Sequence, residues 1–200
     1  MEPLIIRRAS ADDAGAILAI YAPYIENTAV TFEYDVPEAA EFAARVRQTA
    51  SDYPYLVCER GGRLLGYAYA CRHMARAAYG WNVETSVYLA PDAQRQGIGT
   101  ALYRALLALL TRQNVKNVYA CVTLPNEGSR RLHEKMGFSF LGAYHKSGWK
   151  NGAWHDVGWF EKRLGGDEAP VRLIPAWQLD PAPAADILQQ ETERLNGKGE

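Results

Sequence analysis

The segment Gln94-Arg95-Gln96-Gly97-Ile98-Gly99-Thr100 carries the strongest chemical signal in the chain. A strand-like run, Tyr88-Leu89-Ala90, leads through Pro91-Asp92-Ala93 into two glycines and then a helical pattern. Glycines at 97 and 99 let an anion approach the backbone, and the free N–H groups of a helix start point toward it. The helix dipole adds partial positive charge there, and Arg95 adds a full one. A pyrophosphate requires that chemistry. Leu102 occupies the third glycine position of a dinucleotide fingerprint, and no Gly-Lys-Ser/Thr triplet follows, so neither a Rossmann loop nor a P-loop is present.

A second set, Asn126, Ser129, Leu132, His133, Glu134, Lys135, Gly137 and Phe138, lies after the next strand-like stretch. With Gln94-x-x-Gly97-x-Gly99 it resembles the acetyl-CoA loop and downstream helix of the GNAT N-acetyltransferases. Trp81 to Tyr88, Leu124-Pro125-Asn126, Arg131 to Glu134 and Gly152 to Gly158 are similar to the phosphinothricin/methionine sulfoximine acetyltransferase subfamily. The likeness runs from about Ile5 to Leu164.

The resemblance implies an acetyl-CoA-dependent N-acetyltransferase without a metal. Its substrate would be the amino group of phosphinothricin, methionine sulfoximine or methionine sulfone, attacking directly in a ternary complex. Backbone groups of Val87, Tyr88 and Leu89 would pair with the pantetheine arm like an added strand. Arg95, Gln96, Gly97, Ile98, Gly99 and Thr100 would hold the pyrophosphate, and Asn126, Ser129 and Lys135 would contact the CoA from the second helix. Arg76 resembles a residue that binds the substrate carboxylate, a role a guanidinium fork suits. Phe32, Glu33, Met74, Glu84, Thr85 and Ser86 would complete the substrate side. The subfamily also implies a homodimer with active sites near the subunit boundary.

Amide formation needs a neutral amine, and an α-amino group with a pKa of about 7.7–8.0 is only about 10–15% neutral at pH 7. A positioned carboxylate that takes the proton typically contributes about 10²–10⁴-fold. Glu84 is the candidate base, a charge in mid-strand beside the presumed CoA segment; an ordinary salt-bridge partner is the alternative. For the leaving thiolate the candidate acid is His133, where many relatives carry tyrosine, with Tyr88 as a second choice. Packing against the CoA arm remains the other reading of His133, and a core role that of Tyr88. A backbone N–H near Val87 would stabilise the oxyanion, by the family's strand geometry.

These side chains need a scaffold. Alternating and helical patterns predict the order βααβββαβαββ, an α/β (α+β) fold with a mixed, mostly antiparallel sheet flanked by helices. Ser10 and Asp13 form a capping-box pattern before the first helix, Pro37 is expected to open the second, and Gly61-Gly62 marks a hairpin. Residues 1–164 form the catalytic domain. Residues 165–200, interrupted by Pro170, Pro175, Pro181 and Pro183, form an appended tail with a short helix over about 184–196.

The 200 residues are 48% hydrophobic and 22% charged with a net charge of −1, a balance that gives no electrostatic reason to expect nucleic acid or an anionic membrane as partner. No signal-peptide pattern or run of about 18 apolar residues occurs, so a cytoplasmic protein is expected. Cys58, Cys71 and Cys121 lie in apolar strand-like stretches and read as buried, reduced thiols. His73, His145 and His155 lack metal-ligand spacing. Two competing functions stay open: acetylation of another amine (a protein N-terminus, polyamine or aminoglycoside), and a non-catalytic acyl-CoA-binding regulator.

Overall fold

The computed structural model describes residues 2–197. Seven strands form one sheet: β1 (Leu4–Arg8), β2 (Tyr55–Arg60), β3 (Arg63–Arg72), β4 (Asn82–Leu89), β5 (Asn117–Leu124), β6 (Ser139–Lys150) and β7 (Ala153–Arg163). Their spatial order is β1-β2-β3-β4-β5-β7-β6, antiparallel throughout except between β4 and β5. The helices are α1 (Ala14–Asn27), α2 (Ala39–Asp52), α3 (Ile98–Arg112), α4 (Glu127–Lys135) and α5 (Pro181–Asn196). This is the expected mixed α/β architecture.

Local chemistry explains the joints. Gly61 and Gly62 have φ of +56° and +77°, the pair of left-handed residues that a two-residue hairpin turn demands. The Ser10 N–H donates to Asp13 Oδ2 at 2.6 Å, tying down the entry to α1. Pro37 does not open α2: Glu38 keeps an extended ψ of 142°, so the helix starts only at Ala39. Leu102, Leu106, Leu109 and Leu110 of α3 are fully buried, as one apolar stripe pressed on the sheet requires.

The sheet divides at its middle. β4 pairs with β3 along its whole length, whereas it pairs with β5 only over Asn82–Glu84 against Asn117–Tyr119. β5 then continues alongside β7 to Leu124. Beyond Glu84 the two strands therefore part, leaving one edge of β4 unpaired. Pleating sends Glu84, Ser86 and Tyr88 to one face and Val83, Thr85 and Val87 to the other. The first face meets α1, where Tyr88 packs edge-on against Tyr21 and Tyr24; the second meets α3, where Thr85 reaches Tyr103.

The carboxy-terminal stretch packs on this scaffold. Backbone carbonyls of Val171, Arg172 and Ile174 accept from Trp81, Asn114 and Gln113 side chains at 2.6–2.9 Å. Leu179, Ala184 and Leu195 are buried against α3 and its surroundings. At the free edge of β1, Asn196 Oδ1 accepts from the Leu4 N–H at 2.9 Å while its Nδ2 donates to the Leu4 carbonyl at 2.8 Å. Thr192 Oγ1 accepts from the Ile6 N–H at 3.0 Å. Two side chains thus do for the edge what another strand would do.

The thiols depart from expectation. Cys58 is buried and Cys71 partly so, but Cys121 is exposed, because it faces the gap where β5 leaves β4.

Candidate active site

The fork between β4 and β5 encloses a cavity of about 50 Å³ lined by Thr85 to Tyr88, by Cys121, Val122 and Thr123, and by Asn126, Ser129 and His133. Strand parity determines which backbone groups face it. The Ala90 N–H donates to the Leu65 carbonyl and the His73 N–H to the Asn82 carbonyl, so the bonded pairs of the β3–β4 ladder fall on every second residue. The intervening residues, Thr85, Val87 and Leu89, turn their N–H and C=O away from β3 toward the fork. The Leu89 carbonyl already accepts from Tyr24 Oη at 2.7 Å. Val87 has no strand opposite it on that side.

At one end of the fork α3 begins without a side-chain cap, and its N-cap, Gly97, has φ of +84°. Only glycine holds that conformation without strain. Gly99 is different: a Cβ there would make ordinary 3.6 Å contacts with Leu132 and Leu89. Internal packing does not demand glycine at 99, so the bare backbone fits an anion approaching from outside. Arg95, at φ +62°, and Gln96 are exposed, with Gln96 Nε2 donating to the Asp92 carbonyl at 2.8 Å. Ile98 is fully buried and Thr100 nearly so, which leaves their backbones for an anion. Lys135 is exposed at the end of α4, and Asn126 caps that helix by accepting from the Ser129 N–H at 3.1 Å. A phosphate-bearing group fits this loop.

On the α1 face, Glu84 Oε1 lies 2.7 Å from His73 Nδ1, and its side chain is 30% exposed. His73 stacks on Tyr119 at 4.4 Å and meets Trp159 edge-on, so its ring is held on both sides. The two line an open cavity of about 490 Å³ together with Met74, Tyr119, Leu141, Tyr144 and Trp159. A half-open carboxylate, oriented by a histidine at the point where β4 and β5 part, can accept a proton from an incoming amine.

The opposite face of β4 is closed. Thr85, expected on the substrate side, is 5% exposed and points to α3, where its Oγ1 lies 3.2 Å from Tyr103 Oη. Tyr103 Oη in turn lies 2.8 Å from His133 Nε2, and His133 Nδ1 lies 2.8 Å from the Ser129 carbonyl. A carbonyl only accepts, so Nδ1 carries the proton and Nε2 accepts from the tyrosine. His133 is 3% exposed, and burial lowers its pKa and favours the neutral ring. Both ring nitrogens are engaged within the protein, so the structure does not give His133 the free donor expected of an acid. Tyr88 is likewise a packing residue, its phenol pushed well above its ordinary pKa by burial.

The remaining expected residues divide. Glu33 is joined to Arg45 at 3.0 Å and accepts from Tyr21 Oη at 3.0 Å. Phe32 packs against Gly148, where a Cβ would sit 2.2 Å from its ring. Tyr34 Oη donates to the Trp149 carbonyl. Lys150, 3% exposed, donates from Nζ to the carbonyls of Ile25 and Thr31 at 2.7 and 2.8 Å. The loop that carries Phe32 and Glu33 is therefore clamped to the β6–β7 hairpin. Arg76 is exposed in the segment before β4 and is not among the residues lining the Glu84 cavity, whereas Met74 is. Ser86 lies on the Glu84 face, beside the Tyr69 phenol.

Three residues of this arrangement were not singled out by pattern: His73, Tyr103 and Lys150. The β3–β4 register brings His73 to Glu84, and no local spacing announces it. Tyr103 sits inside an apolar helix, and Lys150 reads as a turn residue. Among the described residues no group of three or more His, Cys, Asp or Glu side chains gathers as a metal site.

Comparison with known proteins identifies the family and the fold. Residues 6–159 match the acetyltransferase (GNAT) domain family. The chain is 39% identical over 174 residues to a phosphinothricin N-acetyltransferase of Streptomyces viridochromogenes, covering 86% of this chain and 95% of the relative. It is 32% identical over 175 residues to an L-methionine sulfoximine/L-methionine sulfone acetyltransferase of Pseudomonas paraeruginosa, covering 85% and 98%. A GNAT superfamily phosphinothricin acetyltransferase from Sinorhizobium meliloti, solved in complex with acetyl-CoA, superposes with a TM-score of 0.82 at 32% identity, covering 88% of this chain and 98% of its own.

Proposed function

This chain belongs to the GNAT acetyltransferase family and is an acetyl-CoA-dependent transferase, and we propose that its acceptor is the α-amino group of a small amino-acid analogue such as phosphinothricin, methionine sulfoximine or methionine sulfone. The carrying observation is Glu84: a half-open carboxylate, held by His73, at the wall of a cavity where β4 and β5 part. The relatives named for those compounds support the substrate class.

Acetyl-CoA supplies an activated acyl thioester. Gly97, Gly99 and the open start of α3 receive its pyrophosphate with Arg95, Gln96 and Lys135 nearby, and Val87 offers backbone groups along the fork. Glu84 takes the proton that an ammonium must lose before its nitrogen can attack. The Val87 N–H, turned into the fork, is placed for the negative charge that develops on the carbonyl oxygen. The hydrogen-bonded Thr85–Tyr103–His133 chain holds β4 and α4 in register and, in this reading, donates no proton. Arg76 is carried forward as the side chain for the acceptor's carboxylate, and Met74 and Ser86 as walls.

The reading includes a homodimer. Leu141 and Tyr144, 52% and 62% exposed, line the Glu84 cavity, and Phe140, Trp149 and Trp154 extend an apolar surface along the same hairpin. A second copy would cover it. A cytoplasmic location is also proposed, supported by three cysteines that form no disulfide.

CoA release tests the proposal, with phosphinothricin, methionine sulfone, methionine sulfoximine and a polyamine as acceptors, accompanied by the solution mass. Turnover of the amino-acid analogues is expected. Turnover of the polyamine alone would overturn the substrate class.

A further inference from the structure

Beneath α2, on the same face of the sheet as Glu84, lies a second cavity of about 310 Å³ that the chemistry above leaves unused. Its floor is an aromatic ladder: Tyr55 of β2 and Tyr67 and Tyr69 of β3, stacked nearly parallel with centroids 4.9–6.3 Å apart. Phe42 and Val46 of α2 also line it, and Glu33 and Arg45, paired with each other, add a charged portion.

Two features distinguish this space from a packing defect. Tyr55 and Tyr67 are 5% and 1% exposed, yet among the described residues neither phenol hydroxyl has a hydrogen-bond partner; Tyr21 Oη, by contrast, is held by Thr31 and Glu33. Neither hydroxyl oxygen is sealed in by protein, so both are open to an acceptor that enters the cavity. The cavity also shares a wall with the proposed base. Cys71 is the β3 partner of Glu84 and Tyr69 that of Ser86, each one strand spacing of about 4.8 Å away. Tyr69 lines the cavity together with Glu33 and Cys71, and Cys71 pairs with Glu84 across the β3–β4 ladder.

We propose that this tyrosine-floored cavity is the subsite for the acceptor's side chain, taking an apolar stem that ends in an oxygen acceptor for the Tyr55 and Tyr67 hydroxyls. The proposal rests on the reading of Glu84 as the base that meets the amine. The aromatic floor and the α2 side chains suit a stem without charge. The Glu33 carboxylate is already engaged by Arg45 and Tyr21, so a second cationic group on the acceptor finds no free anion there. The larger cavity beside Trp159 is the more open of the two.

The test compares kcat/KM for methionine sulfone, norleucine and glycine in the wild type, Val46→Trp and Tyr55→Phe. Norleucine keeps the stem without the oxygens, and glycine lacks both. Val46→Trp fills the cavity, and its sulfone-to-glycine ratio should fall by at least about tenfold. Tyr55→Phe removes one hydroxyl and keeps the ring; its sulfone-to-norleucine ratio should fall about three- to tenfold. Unchanged ratios in folded variants would overturn the subsite and leave the acetyltransferase reading standing. A wild type that acetylates polyamines but none of the three amino acids would instead overturn the substrate class and the subsite with it. Should Val46→Trp fail to fold, the Tyr55→Phe ratio alone decides.

Discussion

Strand β4 carries two histidine-centred pairs on its two faces, and they differ in everything except the strand that holds them. His73 and Glu84 sit on the α1 face, with the carboxylate 30% exposed at an open cavity. His133 and Tyr103 sit on the α3 face, with His133 3% exposed and both of its ring nitrogens engaged. A group that exchanges protons with a substrate needs a free lone pair and a path to it. The first pair has both. The second lines the fork cavity but has no free ring nitrogen, and that satisfaction suits it to registering α3, α4 and β4 against one another.

The largest test of that contrast is Glu84→Gln, which keeps shape and removes the proposed base. Its kcat should fall by about 10²–10⁴-fold while the melting temperature stays near wild type. Next is His73→Ala, which frees the carboxylate to wander. A kcat loss of about 10- to 100-fold, with KM for acetyl-CoA little changed, would mark His73 as a positioning residue; a loss in acetyl-CoA affinity instead would remove it from the amine side. On the closed face the signs reverse. His133→Phe strands the Tyr103 hydroxyl and should cost about 1–3 kcal/mol in denaturant unfolding, with the smaller kinetic effect of the three. A kinetic loss equal to that of Glu84→Gln would restore His133 to the chemistry.

The smallest effect concerns pH. Burial lowers the pKa of His133 in the folded state, so between that value and the unfolded value of about 6.5 only the unfolded chain binds the proton. Its stabilisation is full above about pH 6.5 and is lost as pH falls, at up to about 1.4 kcal/mol per unit from this one group. Unfolding midpoints of wild type and His133→Gln between pH 7 and 5 should therefore converge on acidification. Parallel curves would place the pH dependence elsewhere.

The same contrast shows what the residue string could reveal. Strand β4, Asn82 to Leu89, was legible because its alternation is local and is bounded by Gly80 and Pro91. The open start of α3 was legible for the same reason, since a glycine pair before a leucine stripe has few other uses. Thr85 was misassigned because its neighbour in sequence, Glu84, is its opposite in space. His73 and Lys150 were missed because their partners are 11 and 119 to 125 residues away, brought near by ladder register and by a loop folded over a hairpin. Cys121 looked buried because an apolar strand usually is; the parting of β4 and β5 exposes it. Pattern finds elements and terminal loops. It does not find contacts that only the sheet order creates.

The side-chain cap on β1 has a consequence for observing the molecule. The amide hydrogens of Leu4 and Ile6 are held by Asn196 and Thr192, so their deuterium uptake in heavy water is governed by departure of α5 rather than by fraying of β1. The same helix places Leu195 3.5 Å from where a Cβ on Gly97 would lie. Two amides at the opposite end of the chain are thereby built-in reporters on the security of the loop proposed to meet the pyrophosphate, readable without a label and without turnover.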